Sequence, residues 1–184
     1  MSRTFSQSVR VLSRWLATGL ALLLLLSCPQ AQTPGEYQVK AAFIYNFARF
    51  VEWPADAFSS TDAPFIIGLV GDDPFEGTLE NAISGKSING HKLVFRRVKA
   101  GPELRNCHIL YLSPSEKRRQ GQLIAQLSGA AVLTVTEAER GTPGGIISFV
   151  MDDRNVKFEI NNSAASRARL KISSRLLGLA KAVS

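Results

Sequence analysis

Cysteine and histidine are nearly absent from this chain. Its 184 residues hold two cysteines, Cys28 and Cys107, and two histidines, His91 and His108. A disulfide framework and a zinc site built on spaced Cys and His pairs are thereby excluded as organising devices. Long hydrophobic runs are almost as scarce. The one extended run covers 15–26, and a bilayer-spanning helix needs about 20 apolar residues, so a multi-span membrane protein is excluded. The sequence has no GxGxxG fingerprint, no P-loop lysine and no GxSxG elbow, which leaves nucleotide folds and serine hydrolases without their usual signals. Acid is scarcer than base, 15 residues against 22, for a net charge of +7. Three of those bases, Arg3, Arg10 and Arg14, lie in a 31-residue N-terminal stretch with no acid. The remainder carries 19 basic and 15 acidic residues, or +4, too mild a surplus to specify a nucleic-acid partner.

What is present is ordinary globular composition, 45% hydrophobic and 20% charged, in a length suited to one domain. The three arginines, the apolar run ending in Leu22-Leu23-Leu24-Leu25-Leu26 and the segment Ser27-Cys28-Pro29-Gln30-Ala31 form an export signal over 1–31. Two fates stay open. Cleavage near Ala31 releases a soluble periplasmic product, whereas Leu25-Leu26-Ser27-Cys28 resembles a lipoprotein box in which Cys28 carries a periplasm-facing lipid anchor. A polar lead-in at 32–36 precedes the expected folded domain, 37–184. With Cys28 removed or acylated, Cys107 is a lone thiol, expected to be buried and free of any disulfide.

Periodicity predicts alternating helices and strands. Val39, Phe43, Phe47, Phe50 and Val51 form an apolar stripe that predicts a helix over 37–53, stopped by Pro54, with Phe43, Phe47 and Phe50 against the sheet and Lys40, Asn46 and Arg49 off the stripe. Strands are expected at 65–70, 92–98, 109–112 and 131–135, and helices at 76–84 and 114–127. A glycine-rich loop at 141–145 leads into strands at 146–151 and 156–160, spaced as a β-hairpin. Asn161 or Asn162 then caps one long helix running to Ala182. The expected fold class is therefore a single α/β domain: a mixed, largely parallel sheet with helices on both faces, a C-terminal β-hairpin and a long final helix.

The local motifs carry little catalytic chemistry. Gly71-Asp72-Asp73-Pro74-Phe75 follows a strand and opens a helix, the place where open α/β sheets gather ligands. Asp72, Asp73, Pro74 and Phe75 are thus candidate ligand contacts, with a simple helix start as the competing reading. Cys107 and His108 are adjacent in extended chain and point to opposite faces, so no shared metal site is expected. Gly144-Gly145 reads as a turn into the hairpin or a ligand-facing loop. Arg167, Lys171 and Arg175 recur every four residues and, on one helix, form a basic stripe that reads as a solvated face or a partner contact.

A wider resemblance covers nearly the whole expected domain. The block Val39-Lys40-Ala41-Ala42-Phe43-Ile44-Tyr45-Asn46-Phe47-Ala48-Arg49-Phe50-Val51-Glu52-Trp53-Pro54 resembles the YfiR family. So, in the same order, do Gly71-Asp72-Asp73-Pro74-Phe75, Cys107-His108-Ile109-Leu110-Tyr111-Leu112, Val132-Leu133-Thr134-Val135, Gly144-Gly145-Ile146-Ile147, Phe158-Glu159-Ile160-Asn161 and Ser173-Ser174-Arg175-Leu176-Leu177. The resemblance implies a small exported α/β regulator without catalysis or cofactor. It would restrain an inner-membrane diguanylate cyclase through that enzyme's periplasmic region and so lower cyclic-di-GMP output and biofilm formation. A sensor kinase is an alternative partner and a homodimer an alternative assembly. Many relatives place at position 68 a Cys that pairs with the Cys matching Cys107. Here Gly68 stands there, so disulfide control is not expected. The competing functional class is a periplasmic solute-binding or sensory module.

Overall fold

The computed structural model describes residues 35–138 and 144–184. The expected signal segment and Cys28 lie outside the described residues, and no described helix is long and apolar enough to cross a membrane.

The domain is a twisted sheet of eight strands with helices on both faces. Helix α1 (Glu36–Phe50) leads into a two-residue strand β1 (Val51–Glu52). There follow β2 (Phe65–Val70), α2 (Thr78–Ile83), β3 (Ser87–Ile88), β4 (His91–Arg97), β5 (Ile109–Leu112), α3 (Gln120–Gln126) and β6 (Leu133–Glu137). The chain ends with β7 (Ile147–Asp152), β8 (Asn155–Ile160), α4 (Asn162–Arg167), β9 (Lys171–Ile172), α5 (Ser174–Leu177) and β10 (Ala182–Val183). Spatial order in the main sheet is β10-β8-β7-β6-β5-β2-β4-β3, while β1 and β9 form a separate antiparallel pair. The pairs β2–β4, β2–β5, β5–β6, β6–β7 and β10–β8 are parallel, and β7–β8 and β3–β4 are antiparallel. The sequence-derived α/β class with a largely parallel sheet and a late hairpin is the observed one.

Alternation along the strands builds two cores. Phe65, Ile67, Leu69, Ile109, Tyr111, Leu133, Val135, Ile147, Phe149, Phe158 and Ile160 face α1, α2, α4 and α5. Val70, Leu110, Leu112 and Val132 face the opposite way, under Leu123 and Leu127 of the α3 region and Leu104. Phe47, fully buried, meets Phe158 and Phe149 at ring-centroid distances of 5.1 and 5.8 Å.

Three local expectations change. First, α1 ends at Phe50, not Trp53. Val51 leaves the helix because its backbone pairs with Ile172 across β1–β9, and the residue before Pro54 is itself biased toward extended conformation. Phe43 and Phe50 are only partly buried, and the buried face is Lys40, Ala41, Ile44, Phe47 and Ala48. Secondly, the 114–127 helix begins as a 3₁₀ turn over Pro114–Arg119. Thirdly, the long final helix does not form. Arg169 takes a left-handed φ of 58°. There the Leu170 N–H donates to the Ala165 carbonyl at 2.9 Å and the Arg169 N–H to Ser166 at 3.0 Å. That is a Schellman stop. Ser173 then opens α5, its hydroxyl accepting from the Leu176 N–H at 3.3 Å. Arg167, Lys171 and Arg175 consequently sit on α4, β9 and α5 respectively, and no single helical stripe exists.

Candidate functional site

The 72–75 loop at the carboxyl end of β2 is tied to its neighbours by hydrogen bonds. Strand order reverses between β2 and β5, the switch point at which α/β sheets hold ligands. Here the Asp72 N–H donates to the Ser115 hydroxyl of the β5 loop at 2.9 Å. Asp73 accepts from the Phe75 N–H at 2.9 Å and pairs with Arg97 at 2.5 Å. Phe75 is buried in the core, edge-on to Tyr37 and Tyr111. Of the four candidate residues, Asp72 alone is exposed, and Asp73 closes a turn ahead of the helix, which itself starts only at Thr78 with Gly77 as its N-cap.

Beside Phe75 lies a buried polar cluster that sequence reasoning missed. Lys40, placed off the apolar stripe by its charge, is only 1% exposed. Its ammonium pairs with Glu137 at 2.7 Å and with Glu36, and lies over the Tyr37 ring. The Tyr111 hydroxyl donates to Glu137 at 2.6 Å. Burial alone would push the Lys40 pKa down, but the two bonded carboxylates outweigh it and hold the ammonium above its ordinary range. Burial, reinforced by Glu137, pushes the Tyr111 phenol far up. Both groups keep fixed protonation at neutral pH, so the cluster ties the start of α1 to the end of β6 rather than moving protons. The one available sequence signal was the i, i+4 spacing of Glu36 and Lys40.

Cys107 and His108 do point to opposite faces. The thiol is buried and free in the second core, with its pKa pushed up to about 11 mainly by burial. An ideal Cβ built on Gly68 would lie 2.4 Å from Cys107 Sγ and 3.4 Å from its Cβ. The thiol thus occupies the space a side chain at position 68 would need. His108, on the other side, lies between the rings of Phe58 and Phe65, at 4.4 and 4.7 Å, and Phe58 stacks in turn on His91 at 3.9 Å. His108 Nδ1 accepts from the Ile66 N–H at 3.0 Å, whereas Nε2 has no hydrogen-bond partner among the described residues. Burial pushes its pKa down to about 4. Among the described residues no cluster of His, Cys, Asp and Glu has the makings of a metal site.

A different surface stands out at the C-terminal end of α1. The Lys86 ammonium lies 4.0 Å from the Tyr45 ring centroid, and Arg49 lies 5.8 Å from Tyr45 and 5.5 Å from Phe50. Arg175 covers Phe50 at 5.3 Å. The result is a continuous row of cations and rings, Lys86, Tyr45, Arg49, Phe50, Arg175. The β1–β9 pairing assembles it, because the Ser173 N–H donates to the Phe50 carbonyl at 3.0 Å and so sets α5 over the end of α1. Arg97, Arg119, Arg169 and Lys181 all have carboxylate partners. Arg49, Lys86 and Arg175 are exposed and have none among the described residues. Of the three sequence-picked bases, Arg175 joins this row, Lys171 lies cross-strand from Glu52, and Arg167 lines a separate cleft beside Gly144 and Gly145.

The model of the YfiR/HmsC-like family matches residues 37–181, so the chain belongs to that family. No curated protein matches the chain.

Proposed function

We propose that this YfiR/HmsC-like protein is an exported, non-catalytic regulator that binds the extracytoplasmic part of an inner-membrane diguanylate cyclase and restrains it. Family membership over 37–181 supports the regulatory class. The observation that carries the binding reading is the row Lys86, Tyr45, Arg49, Phe50, Arg175. Its rings hold the cations by cation–π contact, and arginine and tyrosine are, with tryptophan, the side chains most enriched where protein interfaces concentrate their energy. With no carboxylate partner among the described residues, the row fits an acidic surface on the partner.

Restraint requires differential affinity for the two states of the enzyme. A tenfold preference is worth about 1.4 kcal/mol, and a complete switch needs about 5.5 kcal/mol. The test is gene deletion with measurement of intracellular cyclic-di-GMP, followed by complementation with the full chain or with a form starting at Gly35. Deletion raises the nucleotide and only the exported form restores it. Equal levels in all strains, while the cyclase is expressed, would reject the reading.

A further inference from the structure

Gly144-Gly145 and Arg167, which the sequence offered as separate features, border one cleft of about 300 Å³ between α3, β6 and α4. That volume is at the lower end of small-molecule sites. Ile124, Leu127, Ala164 and Ala168 supply its apolar lining, and Ser128 and Thr134 lie among the other lining residues. Ala164, Arg167 and the C-capping Ala168 follow at helical i, i+3, i+4 spacing on α4 and its cap, so Arg167 lines the same hollow as two small side chains.

The edge of the hollow is built with unusual care. The Gly145 N–H donates to Thr136 Oγ1 at 3.0 Å and the Ile146 N–H to Thr134 Oγ1 at 2.9 Å, both bonds buried. A Cβ at position 145 would fall 2.7 Å from the Thr134 carbonyl oxygen. Glycine is thus required there for close backbone approach, and two threonine hydroxyls pin the segment at the border of the cleft. Arg167 is exposed and has no carboxylate partner among the described residues.

We infer that this cleft binds a small organic monoacid, its carboxylate on Arg167 and its short apolar body in the hollow between α3 and α4. A planar guanidinium takes a carboxylate through two parallel hydrogen bonds. The apolar part of the lining rewards a hydrocarbon body, and Arg167 is the one charged side chain among the described lining residues, which suits a single carboxylate. This site is separate from the Arg49–Arg175 surface and stands whether or not that surface docks a cyclase.

The probe is octanoate, with octanol and acetate as matched controls, titrated into the purified protein and followed by amide NMR and calorimetry. Octanoate should perturb the amides of Ile124, Gly145 and Ala168 at saturating concentrations that leave octanol and acetate bound at least about tenfold more weakly. Arg167→Ala should weaken octanoate by about tenfold while leaving octanol unchanged, and Arg167→Lys should fall between. Ala168→Leu should block all three by filling the hollow. Thermal unfolding of each variant checks the fold, and the Lys variant keeps the test decisive if Ala or Leu perturbs it. Octanoate shifts elsewhere, equal affinity for octanol, or an unaffected Arg167→Ala would overturn the assignment.

Discussion

Lys40 shows how a charge enters a core without unsettling it. Its ammonium lies over the rings of Tyr37 and Phe149 and meets Glu137 and Glu36. Removing one member of such a pair strands the other, which costs more than the pair contributes. Lys40→Met should therefore lower the unfolding free energy by about 2–4 kcal/mol, read from the urea midpoint. An unchanged midpoint would mean that Glu137, 17% exposed, finds water enough to stay charged alone.

Three further residues, Cys107, Gly68 and His108, make separate predictions. Cys107 should label slowly in the native protein and completely on denaturation, since burial keeps the thiol protonated. Gly68→Cys should oxidise to a disulfide with it and stabilise by about 2–4 kcal/mol, because the two Cβ positions are close enough to bridge. Failure of that pair to form would contradict the packing of β2 on the start of β5. His108 sets the acid side of stability. Its folded pKa lies below its unfolded value, so the unfolded chain takes up the proton first as pH falls. The stabilisation is complete above about 6.5 and is lost as pH drops toward about 4. The thermal midpoint should fall across that window in wild type and flatten in His108→Gln, and identical profiles would remove His108 from the account.

Elements were legible where pattern and packing agreed. Phe-Ile-Ile-Gly-Leu-Val at 65–70 reads as a buried strand because both faces are covered, and it is one. The hairpin spacing read correctly, with Asp153 at positive φ in its turn. The final helix failed because its stop signal is not in composition. Arg, a good helix former, occupies the left-handed position where glycine usually marks the end. Helix α1 was located correctly, but its buried face was rotated, since counting aromatic residues as core and Lys40 as surface ignores ion pairs. The short strands β1, β3, β9 and β10 carry two residues each, too few to show any period. Arg169→Gly tests the stop directly. It should stabilise by about 0.5–1 kcal/mol by relieving the positive φ, while losing only an exposed pair with Asp56. A loss of stability in urea unfolding would show that the Asp56 pair outweighs backbone strain.

At the scale of the molecule, the fold places three features on one scaffold: a hydrogen-bonded switch-point loop, a pinned cleft and a cation–ring surface. The α/β architecture points to the Asp72–Asp73 edge as a site, and there Ser115 bonds the Asp72 N–H while Arg97 pairs with Asp73. The cation–ring surface was out of reach because its parts, Lys86, the end of α1 and Arg175, lie far apart in the chain and meet only through β1–β9 and the α1–α2 packing. The family's regulatory character and this unneutralised surface together make the central claim that Arg49 and Arg175 dock an acidic face of a membrane signalling enzyme. The most direct measurement is the affinity of the purified protein, and of its Arg49→Glu/Arg175→Glu variant, for the isolated extracytoplasmic domain of the cognate cyclase at low and high salt. The account predicts at least about a hundredfold weakening by the double reversal, a wild-type affinity that falls with salt, and unchanged thermal stability. Equal affinity of the two proteins at both salt concentrations would contradict it.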